Sequence, residues 1–210
     1  MNQYRTVKKE AEDEFVERRS RFIGRVKPVK TEEDAVSFIQ ACKSKHWDAS
    51  HNVYAYSLRE GNIRRYSDDG EPQGTAGVPV LEVLQKSGVT DLAVVVTRYF
   101  GGVLLGAGGL VRAYSHGAKI ALDAGEIITM ALCQTAELLC DYNQYGRILA
   151  LVPEAGGMVT DAQFTDTVSV RFQIPGESLA GLNRKLADAT SGSVQAEVTG
   201  ELFVEWNEKE

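Results

Sequence analysis

No stretch of the 210 residues approaches the roughly 18–20 consecutive apolar residues that span a bilayer. The opening MNQYRTVKKEAEDEF carries charge where a signal peptide needs an apolar segment, so a cytoplasmic protein is expected. Cysteine is scarce: Cys42, Cys133 and Cys140 are an odd count without a C-x-x-C pair. That spacing speaks against a disulfide framework and against a cysteine zinc site. Low-complexity segments and tandem repeats are missing too. With 43% hydrophobic and 25% charged residues, disorder and a coiled-coil rod are excluded, and a globular chain of one large or two small domains is expected.

Charge is unevenly placed. Through residue 133 there are 18 Lys and Arg against 17 Asp and Glu; from 134 onward there are 5 against 12. The acidic second part is a poor phosphate binder. In the first part, Arg18, Arg19, Arg21, Arg25 and Lys27 form either a basic face or a solvated strand edge protected by charge.

Periodicity places the elements. Phe15 to Lys27 reads as strands. Thr31 with Asp34 reads as a helix cap, followed by Ala35, Phe38, Ile39 and Cys42 at helical spacing. Val53–Leu58 is a strand, turned at Glu60-Gly61-Asn62 into Ile63–Tyr66. Gly74 to Lys86 reads as a helix with Pro79 near its start. Asp91–Thr97 is a continuous apolar run of strand length, which suggests a buried strand. A glycine-rich segment follows, then a helix carrying Val111, Tyr114, Ala118, Ala121 and Leu122, stopped at Gly125. From Gln134 the order is strand, helix, strand, strand, helix, strand, which is the ferredoxin-like βαββαβ pattern. The expected division is therefore 1–132 and 133–210, each with its own core, although Ile127–Ala131 fits either side.

Three clusters could carry chemistry. The glycine-rich segment, Arg98-Tyr99-Phe100-Gly101-Gly102 through Gly106, Gly108 and Gly109 to Arg112, joins a strand to a helix and offers amides to an anion. It ends in no Gly-Lys-Ser/Thr, and Val111 stands where a dinucleotide fingerprint needs glycine. Its glycines serve equally as tight-turn residues, and its two aromatics as core. Ser67-Asp68-Asp69-Gly70-Glu71-Pro72 either holds Mg²⁺ or forms a turn and a helix N-cap. His46 and His51 lack the i,i+4 spacing of zinc proteases. With Asp68, Asp69 and Glu71 they suit acid–base work, or else they are structural. His116 reads as packing and Cys42 as a core thiol. No Gly-x-Ser-x-Gly is present.

Three motifs carry a family resemblance: His46-x4-His51-Asn52-x-Tyr54-Ala55-Tyr56, Ser67-Asp-Asp-Gly-Glu-Pro-x-Gly74-Thr-Ala-Gly77, and Val96-x-Arg98-Tyr-Phe-Gly-Gly-x-x-Leu105-Gly106-Ala-Gly-Gly-Leu110. Together they resemble the IMPACT (YigZ, UPF0029) family from about Phe15 to Ala121, and the βαββαβ tail resembles the companion domain of its bacterial members. The resemblance implies an α+β protein of two domains. The first is like a small-subunit ribosomal protein and domain IV of elongation factor G, the second like domain V of that factor. It implies an association with translation, with the ribosome, RNA or a translation-factor complex as the suspected partner; from the residues themselves no membrane, metal or cofactor is expected. On that reading Arg98, Tyr99, Phe100, Gly101, Gly102, Gly106, Gly108, Gly109 and Arg112 contact nucleic acid. The competing expectation is a hydrolase-like enzyme built on His46, His51, Asp68, Asp69 and Glu71.

Overall fold

The apolar run at 91–97 becomes the middle strand of an antiparallel sheet in the computed structural model, which describes residues 2–206. In chain order the elements are β1 (Gln3–Val7), β2 (Ala11–Glu17), β3 (Ser20–Pro28), α1 (Glu32–Lys45), β4 (His51–Leu58), β5 (Ile63–Ser67), α2 (Gly77–Lys86), β6 (Leu92–Tyr99), α3 (Ala107–Gly125), β7 (Ile127–Cys140), α4 (Tyr142–Glu154), β8 (Met158–Phe164), β9 (Val168–Pro175), α5 (Gly176–Thr190) and β10 (Glu197–Glu205). The protein is thus α+β and divides into two compact units.

The first unit covers 4–129. Its sheet runs β2-β3-β6-β4-β5, every neighbouring pair antiparallel. Alternation along β6 explains why that strand reads as unbroken apolar sequence. Leu92, Val94 and Val96 join the core under α2 and α3, while Ala93 and Val95 join a second core under α1. Side chains two apart share a face, so a strand covered on both faces has no polar positions to spare. Helix α1 starts where expected: the Asp34 amide donates to Thr31 Oγ1 at 3.1 Å.

Helix α3 lies close on β3 because glycine meets glycine there. A Cβ on Gly24 would stand 2.1 Å from the Gly117 carbonyl oxygen, and one on Gly117 would stand 2.7 Å from Val96 Cγ1. The β2–β3 hairpin turns on Arg18 and Arg19, with φ of 44° and 66°. Both are left-handed, as a two-residue type I′ turn requires. Strand β3 is interior and β2 is the edge. This corrects the solvated-edge reading at one position: Arg25 is buried and ion-pairs with Glu12 at 2.6 Å, while Arg18, Arg19 and Arg21 are exposed.

The second unit covers 130–206 together with residues 2–3, whose Asn2 carbonyl accepts from the Leu132 amide at 2.9 Å. The division falls inside β7, three residues before the expected boundary, and the first residues of the chain go with the second unit. Strands in the order β10-β7-β9-β8 pair antiparallel, the ferredoxin-like arrangement of the βαββαβ pattern. Its own core joins Leu138, Ile148, Phe172, Ile174, Leu182 and Leu186. Among the described residues no helix is long and apolar enough to cross a membrane.

Candidate functional site

The site lies in the first unit, where β4 and β6 run side by side with His51 opposite Arg98. The loop after β5 brings the acidic cluster to the same end. Its three carboxylates diverge. Asp68 accepts from the amides of Gly74, Ala76 and Gly77 at 2.9, 3.1 and 2.8 Å, which caps α2 and delays its start to Gly77. Asp69 takes the Lys43 ammonium on Oδ1 and the Asn52 amide on Oδ2, both at 2.6 Å. Glu71 turns inward. The Mg²⁺ alternative for this loop therefore finds no gathered ligands: among the described residues no three His, Cys, Asp or Glu side chains come together as a metal would need.

Glu71 Oε1 is the hub of the inward group. It accepts from Arg98 Nη1 at 2.7 Å and from the Tyr114 hydroxyl at 2.7 Å, and it lies 3.8 Å from His51 Nε2. Burial, with the Glu71 carboxylate alongside, pushes the Tyr114 phenol far above its usual range, so it remains a proton donor. Arg98 Nη2 reaches Ser20 Oγ at 3.4 Å, and its guanidinium lies between the rings of Phe22 and Phe100, 5.5 and 5.3 Å from their centroids. Arg98 Nε is buried and has no partner among the described residues. His51 Nδ1 is 2.8 Å from the Asp69 carbonyl. A carbonyl only accepts, so Nδ1 carries the proton and the neutral ring keeps its lone pair on Nε2.

A cavity of about 470 Å³ opens over this group. His51, Glu71 and Arg98 form its polar side; Pro72, Phe100, Leu104, Leu105 and Leu110 its apolar side; Gly106 and Ala107 bring in the start of α3. Among the described residues no side chain caps α3, and no acid stands in its first turn, so its leading amides remain as donors. Gly106 permits this entry with φ 71° and ψ 165°.

The other expected residues separate. His46 Nδ1 pairs with the Tyr99 hydroxyl at 2.8 Å, and that hydroxyl donates to Asp48 at 3.1 Å. Burial, then the Arg25 and Lys45 charges, lower the His46 pKa, and its Nε2 is buried without a partner among the described residues. His46 and Asp68 therefore do not join His51 and Glu71 in the cavity. Gly101 is packed against the hairpin turn: a Cβ there would stand 2.0 Å from the Arg19 carbonyl oxygen. Gly102, Gly106 and Gly108 are exposed, and Phe100 is 48% exposed. Arg98, at 5% exposure and ion-paired, is not the free phosphate ligand that its position beside the glycines suggested. Arg112 is exposed and lines a neighbouring cavity of about 480 Å³ with Arg18, Gly109 and His116. His116 itself is exposed, its ring edge-on to Phe15 at 4.6 Å.

Sequence reasoning missed Tyr114 as a site residue and Arg18 as a neighbour of Arg112. Tyr114 carried a signal: a tyrosine on the apolar face of a helix needs a partner for its hydroxyl. Arg18 carried none beyond its charge, since only the hairpin brings it to α3.

Residues 18–122 match the model of the Impact N-terminal domain, and 138–193 match a domain of unknown function, DUF1949. The chain is 37% identical to IMPACT family member YvyE of Bacillus subtilis, across 91% of this chain and 89% of that one. It is also 37% identical to IMPACT family member YigZ of Escherichia coli, across 85% and 89%. A crystal structure described as that of a hypothetical protein, 32% identical, aligns over 100% of both chains with a TM-score of 0.60. Both units are accounted for by these matches, and the protein belongs to the IMPACT family.

Proposed function

We propose that the protein is a translation-associated binding factor of the cytoplasm that contacts RNA or the ribosome through its first unit. The observation that carries this reading is the start of α3. Its first turn has no side-chain cap and no acid, and exposed Arg18 and Arg112 line the cavity beside it. Backbone amides, a helix dipole and two guanidiniums are what a phosphate backbone needs, and exposed Phe100 adds a face for an unpaired base. The translation partner is drawn from the family. Arg98 has a positioning role here: it holds Glu71 and the Phe100 ring rather than meeting solvent phosphate.

Sedimentation with ribosomes across a salt series tests the reading. Wild type should co-sediment at low salt, with log affinity falling linearly in log salt. Arg18→Ala with Arg112→Ala should flatten that slope by roughly 0.7–0.9 for each phosphate that is no longer neutralised. A double variant that folds and retains the wild-type slope removes these residues from the interface.

One observation favours a second, hydrolytic reading. The Asp69 carbonyl orients His51 so that Nε2 is the basic nitrogen beside the cavity, as a general base requires. Release of product from a panel of ester and phosphoester substrates by wild type, abolished in His51→Gln, is the outcome that reading needs.

A further inference from the structure

We propose that the 470 Å³ cavity over His51, Glu71 and Arg98 receives one ribonucleotide of an RNA strand. The phosphate lies on the leading amides of α3, the base against Phe100 and Leu104, and a ribose hydroxyl donates to His51 Nε2. This inference rests on the RNA-binding reading above and specifies the unit of RNA that is held.

Four features of one cavity converge on that ligand. Its volume is that of a small-molecule site, commonly about 300–1,000 Å³. Its anion end is the N-terminus of a helix of 19 residues with no side-chain cap. Arg98, 95% buried, lines the same cavity, and its Nε has no partner among the described residues. Glu71, the carboxylate in the cavity wall, is already neutralised by Arg98 and bonded by Tyr114, so it does not repel a phosphate as a free acid would.

The apolar end is equally specific. Phe100 and Leu104 are 48% and 79% exposed at the rim, an aromatic face and an aliphatic edge in water. The Arg98 guanidinium lies 5.3 Å from the Phe100 ring centroid, and an exposed aromatic face stacks any base. Between the two ends, His51 offers an acceptor. A ribose 2′-hydroxyl is a donor that deoxyribose lacks, so His51 distinguishes the two sugars.

Titration of the full chain with AMP, 2′-deoxy-AMP, adenosine and a pentamer of adenylate, followed by heteronuclear NMR or calorimetry, tests this. AMP should bind about tenfold tighter than adenosine and about fivefold tighter than 2′-deoxy-AMP, the scale of one charged and one neutral hydrogen bond. The pentamer should bind tighter still, with a salt-dependent gain. Ala107→Pro removes one leading amide at a position where proline fits, since Gly106 before it is already extended at ψ 165°. It should weaken AMP severalfold and leave adenosine unchanged.

Equal binding of AMP and adenosine, or of AMP and 2′-deoxy-AMP, overturns the assignment without any variant. A pentamer no tighter than AMP overturns the strand as the source and leaves a free nucleotide. Failure here with salt-dependent ribosome binding intact removes only the cavity assignment. Nucleotide binding without ribosome binding removes only the ribosome.

Discussion

Arg98 and Glu71 form an ion pair at 2.7 Å with 6% and 4% of their side chains exposed. Each is the other's charge partner, and little of either side chain meets solvent. Removing one leaves the other uncompensated, and breaking a buried pair from one side costs about 3–5 kcal/mol. Glu71→Ala should therefore lower the stability of the first unit by about that much, and Glu71→Gln by less, since an amide oxygen still accepts from Arg98 and Tyr114. Urea denaturation of the full chain, followed by amide signals of the first unit, measures the loss. A Glu71→Ala loss under about 1 kcal/mol would mean that solvent enters the site freely.

Glycine to alanine should have opposite signs at two positions. At Gly24 the added Cβ meets backbone, 2.1 Å from the Gly117 carbonyl, and neither the sheet nor α3 yields cheaply. Gly24→Ala should cost at least about 1–3 kcal/mol as overpacking. Gly181 lies inside α5 with nothing within 4 Å of its would-be Cβ. Gly181→Ala should stabilise by roughly 0.5–1 kcal/mol, the ordinary helix gain. Thermal melts of both variants decide it; the same sign at both sites refutes the packing argument.

His46 should make stability fall on the acid side. Its folded-state pKa is lowered by burial and by Arg25 and Lys45, so the unfolded chain takes up this proton first. The contribution is fully present above the unfolded value near 6.5 and is lost as the pH falls from there toward the folded value. The structural reason is Nε2: protonation places an N–H where no acceptor stands. His46→Gln should flatten the stability profile below about pH 6.5 relative to wild type, read from urea midpoints. An unchanged profile would assign the acid sensitivity to other groups.

The fold was legible wherever a pattern had one physical cause. The β6 run, the Thr31 cap and the βαββαβ tail each follow from burial or capping that a sequence displays directly. The site was legible only in part. His51, Glu71 and the glycine-rich segment were named, but the sequence does not say which partners the register assigns. Arg98 sits between exposed-looking neighbours in sequence, yet β6 is interior, and pairing with β3 and β4 places it opposite Phe22 and His51. That register converts a candidate phosphate ligand into a buried ion pair. Arg25 changes in the same way, because β3 is covered on one side by β2. Tyr114 was legible as core and illegible as donor, since its hydroxyl partner lies 43 positions away in the chain.

The Arg18-Arg19 hairpin sets two demands against each other. Its left-handed backbone suits Asn-Gly and costs a non-glycine residue on the order of 1 kcal/mol at each position. Exchanging the pair for Asn-Gly would give a sturdier turn and, in the same step, strip the Arg18 cation from the rim beside α3. Thermostabilised versions of this chain selected for melting temperature alone would drift toward that exchange. A selection that also scored binding would retain the strained arginines.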